Sequence, residues 1–458
     1  MDEATSRCRY REEYFDYELG KIVIYECPRQ AVTERGFCEF HDSDYWREHE
    51  EEVRSKFEEM IKRAQEKPEK LLCIGFNLPS VEVRGVFRKP VYFSFTEFHE
   101  EADFSGTEFH QGADFSDAEF HQKAYFFFTE FRQGAYFSGT EFHEEAYFRG
   151  AEFHQGADFS DAEFHQKAYF FFTEFHQKAY FSGTEFNGRT MFIYTRLIFS
   201  TYDYIKDEGI YGGFKYISFR DARFLKPSEV FFDHVYLGRV SFINCNIERV
   251  NFKNVIWRKE KGGRYVVFDE ELLAIKANPK LIEELEQRGV KIDAKVTLWW
   301  IDVTLDDVLS VYRRLRENYD YNLRYIESGK FFVSEMEVRR LYREVGTKVI
   351  YNDWFRRNLS ITNVYKLLCL YGESHIRPIV LMLAVILTST VLRLLLHSNL
   401  GMLLDINTIL GAVEDSVRAF FQMGGVTGID LAERLLSIPI LGTLMLSLRR
   451  RFERRFRH

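Results

Sequence analysis

Three cysteines and one histidine near the amino terminus have the clearest metal chemistry in the chain. Cys8, Cys27, Cys38 and His41 follow the spacing C-x18-C-x10-C-x2-H, and the last two lie in the segment GFCEFH. Thiolate and imidazole are ligands that tetrahedral zinc prefers, and a closed set of four leaves no position for a reacting water. We therefore expect a structural Zn ion in residues 1–45, which are too few to bury a core. The alternative is that the cysteines are free and buried.

The sequence lacks the short motifs that are typical of enzyme active sites. It contains no phosphate-binding loop, dinucleotide fingerprint, HExxH sequence or nucleophile elbow. Six cysteines in 458 residues make no disulfide framework. The amino-terminal segment has no apolar stretch of a secretory signal, so we expect the first half of the chain in the cytoplasm. The sequence therefore predicts a cytoplasmic domain that is not an enzyme.

Phenylalanine recurs at a fixed spacing over a long stretch of the chain. There are 46 Phe residues, and a series of them from 98 to 186 lies alternately six and five residues apart. The repeating unit is therefore eleven residues long, and residues 110–131 recur unchanged as 154–175. The first positions of the series are Phe98, Phe104, Phe109, Phe115, Phe120, Phe126, Phe131, Phe137, Phe142, Phe148 and Phe153. We expect these side chains to form a continuous core.

Neither a helix nor a continuous strand places these phenylalanines on one face. A step of five residues rotates a helical side chain about 140° away, and an odd step in a strand moves it to the opposite face. The chain must therefore turn a corner between successive Phe residues, and repeated turning in one sense stacks the coils. A small residue two positions before each Phe, such as Ala102 or Thr107, fits a narrow core. The pattern predicts a solenoid.

This pattern resembles the pentapeptide-repeat family, whose consensus places a small residue two positions before a central Leu or Phe. The resemblance implies a mainly β fold, a right-handed quadrilateral β-helix. The strict five-residue step of the family returns at Leu237, Phe242, Ile247, Phe252 and Trp257. The extra residue in every second step between 91 and 186 predicts about 22 residues per coil, with a bulge at two of the four corners.

The repeats are acidic, with 18 Asp and Glu against 5 Lys and Arg between residues 91 and 186. We expect a solvated column of glutamates on the outer wall, formed by Glu97, Glu108, Glu119, Glu130 and Glu141. The alternative comes from family members that imitate DNA and inhibit DNA gyrase. A membrane-tethered chain is poorly suited to that role, so we do not expect nucleic acid as a partner. The histidine after each Glu-Phe pair, as at His99, is expected to be a column residue rather than a metal ligand.

Residues 304–345 have the pattern of two helices. Val308, Val311, Tyr312, Leu315 and Tyr319 form one apolar stripe, and the sequence Glu-Ser-Gly at 327–329 predicts the break. The pair Asn318-Tyr319 and the sequence EMEVRR at 335–340 resemble the tail that follows the repeats in archaeal pentapeptide-repeat membrane proteins. We expect the charges of EMEVRR to form ion pairs on a helix face rather than a catalytic site.

Two apolar segments near the carboxyl terminus predict a membrane hairpin. Residues 376–396 are long enough to cross about 30 Å of hydrocarbon, with Arg393 reaching the interface. Residues 435–448 are short for a span and are expected to need the preceding turn, with Asp430, Glu433 and Arg434 at its outer edge. Basic residues precede the first segment and fill 449–458, so both termini are expected in the cytoplasm. A single span is the alternative.

Between the two apolar segments, a helical pattern and a glycine-containing turn give the order of a two-helix potassium-channel pore, which residues 415–430 distantly resemble. The candidate pore loop is Gly424, Gly425, Val426, Thr427 and Gly428. The TVGYG filter is missing, so potassium selectivity does not carry over. The alternative is an amphipathic interfacial helix in a plain anchor. A pore of this type would require about four subunits.

These patterns divide the chain into modules that share one function. The predicted order is zinc knuckle 1–45, helical linker 46–79, solenoid 80–258, connector 259–303, helical hairpin 304–345, juxtamembrane helix 346–375, membrane hairpin 376–448 and basic tail 449–458. We expect a multi-pass cell-membrane protein that acts as a scaffold, with the lipid bilayer and cytoplasmic proteins as partners. The alternative is an ion channel that the solenoid regulates or assembles, as a homo-oligomer.

Overall fold

The Phe spacing determines how the chain coils between Leu71 and Lys253. Ala124 pairs with Ala146, and Glu119 pairs with Glu141, both in parallel, so residues 22 positions apart lie directly above one another. The predicted coil of 22 residues is thus confirmed for the repeats. About seven turns stack along four walls, each of which is a parallel sheet.

The computed structural model describes residues 7–197, 216–260, 263–278, 280, 303–346, 348–397, 406–423 and 428–456.

Four walls, named A to D in the order in which the chain visits them, contain the solenoid strands. Wall A consists of Leu71–Leu72, Val91–Tyr92, Ala113–Asp114, Ala135–Tyr136, Ala157–Asp158, Ala179–Tyr180, Ile217–Ser218 and Val240–Ser241. Wall B consists of Asn77–Leu78, Glu97–Phe98, Glu119–Phe120, Glu141–Phe142, Glu163–Phe164, Glu185–Phe186 and Arg223–Phe224. Wall C consists of Val81–Glu82, Ala102–Asp103, Ala124–Tyr125, Ala146–Tyr147, Ala168–Tyr169, Thr190–Ile193, Val230–Asp233 and Asn251–Lys253. Wall D consists of Val86–Phe87, Glu108–Phe109, Glu130–Phe131, Glu152–Phe153, Glu174–Phe175 and Arg196–Leu197.

Two of the four corners of each 22-residue coil are longer than the other two. Connections from wall A to B and from C to D hold four residues, whereas the other two hold three. The third residue of each longer connection has a positive φ, as at Gly106, Asp117 and Phe128. Glycine adopts this left-handed conformation most easily, which explains why it recurs at this position. The last coil keeps left-handed residues at the equivalent corners, His234 and Asn244, but is two residues shorter overall, and Phe232 therefore pairs with Phe252, twenty positions on.

The interior is a stack of phenylalanine rings with small residues between them. The ring of Phe137 lies 4.9 Å from Phe115 and 4.7 Å from Phe159, nearly parallel to both. Phe126 and Phe148, which follow strands of the opposite wall C, contact it edge-on, with centroids at 5.4 and 5.7 Å. Offset and edge-on pairs are the arrangements that aromatic rings prefer. The core therefore gains ring packing in addition to buried area.

Two helices and a hairpin cover the first coil. Strands β1 (Arg11–Asp16) and β2 (Lys21–Glu26) form an antiparallel pair. Helices α1 (Tyr45–Glu48) and α2 (Glu50–Glu66) follow, and α2 buries Val53, Phe57, Ile61 and Ala64 at helical spacing. The ring of Phe57 lies 6.3 Å from Phe93 in the solenoid. The solenoid begins at Leu71 rather than at the predicted residue 80, since Leu71 already pairs with Val91.

Helices α3 (Phe268–Ala277) and α4 (Leu305–Tyr321) follow the last coil, together with the short strands Arg258–Lys259 and Tyr265–Val266. Asn318 of α4 donates from Nδ2 to the carbonyls of Ile247, at 2.8 Å, and Val250, at 2.6 Å. Tyr319 accepts a hydrogen bond from the indole of Trp257 at 2.7 Å. Asn318 therefore caps two carbonyl groups of the last coil, and Tyr319 provides an acceptor for the Trp257 indole.

The chain divides into two compact units after Asn322. The second unit contains α5 (Tyr325–Leu341), an antiparallel strand pair Tyr342–Val345 and Lys348–Tyr351, α6 (Trp354–Asn358), α7 (Ile361–Cys369), α8 (Ile376–His397), α9 (Ile406–Phe420) and α10 (Gly428–Phe456). The predicted break at 327–329 is wrong, because these residues lie inside α5. The chain instead turns at 322–324, where Leu323 has a positive φ. Pairing of α4 with α5 in a hairpin stays a prediction.

Replacing a stacked core phenylalanine should strongly destabilise the solenoid. We expect Phe137→Ala to lower the free energy of unfolding by about 3–5 kcal/mol, because it leaves a cavity between four rings. The matched control is Phe128→Ala, since that ring is 66% exposed and its loss should change stability by less than about 0.5 kcal/mol. Urea unfolding of the full chain in detergent, followed by circular dichroism, measures both. Equal losses in the two variants would contradict a stacked core.

Candidate metal centre and membrane helices

The four predicted metal ligands converge at the base of the β1–β2 hairpin. Cys8 precedes β1 and Cys27 follows β2, so strand pairing brings together two residues that are far apart in sequence. Cys38 and His41 lie in a turn after Gly36, whose φ of +81° favours glycine. All four side chains are buried, and their ligand atoms lie within 4.8 Å of one another.

Two of the three closest separations match those between the ligands of a tetrahedral ion, and the third is shorter. Cys27 Sγ lies 3.8 Å from Cys38 Sγ, and Cys8 Sγ lies 3.5 Å from Nδ1 of His41. Cys38 Sγ is 3.1 Å from the same nitrogen. Bond lengths of about 2.3 Å to sulfur and about 2.0 Å to nitrogen place two tetrahedral ligands roughly 3.5–3.8 Å apart. A buried Cys3His group of this geometry could hold a metal ion.

Contacts around His41 set the orientation of its ring. Nε2 lies 2.9 Å from the carbonyl oxygen of Ile74 and donates its hydrogen to it, which leaves Nδ1 free to accept. The ring of Tyr10 stacks on the imidazole at 3.9 Å. The backbone amide of Cys38 also donates to Cys8 Sγ at 3.3 Å. Such outer contacts are typical of metal-binding histidines and thiolates.

Contacts with Cys38 and His41 lower the pKa of the Cys27 thiol. A hydrogen bond from the Cys38 thiol lowers the pKa of Cys27 to about 4, with a further contribution from His41 that together outweigh burial. The same hydrogen bond, together with burial, raises the pKa of Cys38. One thiolate is therefore already stabilised, and thiolate is the form that binds metals.

The glutamates and histidines of the repeats form columns on walls B and D. Imidazole rings 22 positions apart stack, as for His121 and His143 with centroids at 5.0 Å. His121 Nε2 lies 3.5 Å from Glu97 and 3.6 Å from Glu119. Stacking in register would bring the acidic groups of successive coils together. The histidine side chains lie between these acidic groups instead. The columns follow from the repeat, because equivalent residues of successive coils lie in register.

Two helices of the second unit are long and apolar enough to cross a membrane. These segments are Ile376–Leu396 in α8 and Gly428–Glu453 in α10, each with an apolar stretch of 18 residues whose mean hydropathy is 2.5 and 1.5, respectively. Only 6% and 22% of these stretches are buried. The sequence predicted a short second segment at 435–448, whereas α10 is continuous from Gly428, with Pro439 inside it.

The face of α10 that packs on its neighbours is polar. Glu433, Ser437, Thr443 and Ser447 are buried at helical spacing, whereas large apolar side chains such as Leu435 and Met445 are exposed. Small and hydroxyl side chains at helix contacts, with apolar side chains outside, are typical of helices packed in lipid.

Arg393 of α8 joins three helices through polar contacts. Its guanidinium donates to Asp430 at 2.6 Å and to Glu433 at 3.0 Å, both in α10. It also donates to the Ser416 hydroxyl of α9 at 3.0 Å. The prediction placed Arg393 at the interface and the two acids at the outer edge of a turn. In the structure, Asp430 and Glu433 are buried and only 11% of the Arg393 side chain is exposed, whereas the position of the three groups relative to a bilayer stays a prediction. The sequence does contain a signal for this pairing, because the arginine lies near the end of the first apolar segment and the two acids lie just before the second.

The opposite ends of α8 and α10 also meet. Arg450 of α10 donates to the carbonyl of Tyr371, just before α8, at 2.7 Å. Together with the Arg393 contacts, this makes α8 and α10 an antiparallel pair. The predicted pore-loop residues Gly424, Gly425, Val426 and Thr427 lie outside the described residues, and Gly428 begins α10. The pore resemblance therefore stays a prediction.

The charged motif of α5 forms ion pairs on the helix, as the sequence predicts. Glu335 pairs with Arg339 at 3.1 Å, and Glu337 pairs with Arg340 at 2.8 Å. Burial opposes ionisation of Glu337, but hydrogen bonds from Arg340, Lys366 and Tyr371 lower its pKa to about 2. Glu337 is therefore a carboxylate at neutral pH that ties α5 to α7.

Removing Arg393 should destabilise the helical unit. We expect Arg393→Met to cost about 3–5 kcal/mol, because Asp430 and Glu433 would remain buried without their cation. Arg418→Met is the matched control, since Arg418 pairs with Glu414 on the exposed face of α9 and its loss should cost less than about 1 kcal/mol. Thermal unfolding of the full chain in detergent compares them. A Tm for Arg393→Met equal to that of the control would rule out the buried network.

Comparison with known proteins identifies the repeats. A family model described as pentapeptide repeats (9 copies) matches residues 86–130 and 126–174. No curated protein and no solved structure matches the chain. The matched residues are those whose phenylalanines stack inside the four walls. The repeat region of this chain therefore belongs to the pentapeptide-repeat family.

Proposed function

We propose that this chain is a membrane-anchored, non-enzymatic scaffold whose solenoid binds cytoplasmic proteins. The observation that carries the proposal is the exposure of α8 and α10. Leu387 of α8 and Leu435 of α10 are more than half exposed, like most of the large apolar side chains on their outer faces. Exposing such faces to water would be costly, whereas lipid covers them. A core helix of a soluble protein would be mostly buried, which these helices are not.

The distribution of basic residues supports a cytoplasmic position for both ends of the hairpin. Arg356, Arg357 and Lys366 precede α8, and the region from Arg449 onward is rich in arginine. Because α8 and α10 are antiparallel, these two basic clusters lie at the same end of the pair. Basic residues beside membrane helices favour the cytoplasmic side. The solenoid, which precedes α8 in the chain, would then be cytoplasmic too.

The solenoid supplies a long, regular surface for protein partners. Its walls repeat the same side chains every 22 residues, so a partner with a matching repeat could bind several coils at once. The Glu side chains of the columns on walls B and D are acidic and, like the His side chains, partly exposed. This surface suits a partner with spaced basic or polar groups.

We further propose that the Cys3His group holds zinc. Three sulfur ligands and one imidazole nitrogen favour zinc over harder cations such as magnesium. A bound ion would link the residues before β1 to the turn after β2, and it would supply folding energy rather than chemistry. The ion would hold the hairpin that packs against the first coils, where Tyr17 stacks on Tyr136 at 3.9 Å.

Membrane anchoring is tested by extraction. We expect the full chain to stay in the membrane pellet after an alkaline carbonate wash, because two apolar helices cross the bilayer, whereas residues 1–375 should be released. Tags at both termini should be protected from protease added to intact cells. Release of the full chain by carbonate would reject the anchor, and digestion of either tag would reject the topology.

Metal binding is tested by metal analysis of the purified chain. We expect about one zinc ion per chain, and its removal by a chelator should lower the Tm. Cys38→Ser should abolish binding, because it removes a ligand. Cys245→Ser is the matched control, since Cys245 is equally buried but lies in a late coil, far from the cluster in sequence. Zinc retained by Cys38→Ser, or absent from the unmodified chain, would contradict the assignment.

A further inference from the structure

An arginine-rich cleft opens in the second unit, where α5, the strand Tyr342–Val345 and helices α6 and α7 meet. Its volume is about 590 Å³. Arg339, Arg340, Arg343 and Arg356 line it, and the lining includes no acidic residue. Such a set of guanidinium groups recognises an anion with several oxygen atoms, because each group offers donors in a planar fork.

The cleft has hydrogen-bond donors without acceptors. Among the described residues, the buried Nε–H groups of Arg340 and Arg343 have no hydrogen-bond partner. A buried guanidinium donor without a partner is costly unless a water or a ligand accepts from it. A phosphate group carries several such acceptors.

The positive charge of the cleft is only partly neutralised. Glu335 pairs with Arg339, Glu337 pairs with Arg340, and Asp353 lies 3.7 Å from Arg356. Among the described residues, no carboxylate lies within ion-pair distance of Arg343. The cleft therefore keeps an excess of positive charge that attracts anions.

Apolar side chains beside the cleft indicate that the anion belongs to a lipid. Phe355 and Leu359 line the cleft and are 68% and 67% exposed. Trp354 and Ile361 continue this exposed apolar surface on α6 and α7. Helix α7 ends at Cys369, close in sequence to the start of α8 at Ile376. Basic and aromatic side chains beside a membrane helix lie at the level of the lipid head groups.

We propose that this cleft binds the phosphate-bearing head group of an acidic membrane lipid. Arg343 and Arg340 would hold the phosphate, while Phe355 and Leu359 would contact the glycerol and upper acyl region. The inference rests on the proposed membrane anchor, because only an anchored chain holds α6 and α7 at the bilayer surface. It assigns a ligand to the EMEVRR motif of α5, whose Arg339 and Arg340 line the cleft.

Native mass spectrometry of the full chain tests the site. The chain is purified in detergent and titrated with phosphatidylglycerol or with phosphatidylcholine. We expect at least one phosphatidylglycerol to be retained in preference to phosphatidylcholine. Arg343→Gln should weaken its retention about tenfold or more, because it removes a charged donor. Arg356→Gln, on an exposed side chain that the fold does not require, should weaken it in the same direction.

The matched control is Arg88→Gln, which removes the same charge from an exposed position of the solenoid and should leave retention unchanged. Equal retention of the two lipids, or equal behaviour of Arg343→Gln and Arg88→Gln, would overturn the inference. Displacement of the lipid by glycerol phosphate at equal concentration would also overturn it, because a soluble phosphate would then be the ligand. Carbonate extraction reports separately on the anchor, so a failed anchor and a failed lipid site give different results.

Discussion

The width of the solenoid core is the constraint on which the repeat region depends. Each wall of a coil contributes one phenylalanine and one small residue to the interior, and rings of successive coils stack at about 5 Å, as for Phe126 and Phe148. A second large side chain would overpack this interior, and a smaller ring would leave a cavity. Each eleven-residue unit brings two such walls around the core, with one left-handed residue at its longer corner.

Much of the solenoid could be predicted, because its core repeats in sequence as it does in space. The Phe spacing indicated the walls, the coil length and the register. The hydrogen bonds of the small residues could not be predicted: Thr107 and Thr140 donate to the buried carbonyls of Val83 and Phe115. The start of the solenoid at Leu71 was missed because the first coil uses Leu and Val in place of Phe. The Asn318 cap was recognised only as a motif, since its carbonyl partners are about seventy residues away.

The two candidate sites differ in how visible they are in the sequence. Three cysteines and a histidine close together in sequence have few roles other than metal binding, so the residue types alone pointed to a site. The long spacing between Cys8 and Cys27 is explained only by the structure, in which the β1–β2 hairpin brings the two residues together. The arginines of the cleft come from a helix, a strand and a second helix. Each one also resembles an ordinary surface residue. Only the fold shows that Arg340 and Arg343 line one cleft and that the Nε–H group of each lacks a partner.

Polar contacts in the second unit are concentrated where its helices meet, whereas apolar side chains face outward. The Arg393 network and the Arg450 contact fasten α8 and α10 at opposite ends, which suits a rigid anchor. We propose that this hairpin anchors the scaffold rather than conducting ions. Ion flux into proteoliposomes that contain the full chain tests it most directly. If the hairpin is only an anchor, flux should be no greater than in protein-free liposomes. Flux that requires the full chain and depends on Gly428 would show that the hairpin conducts ions.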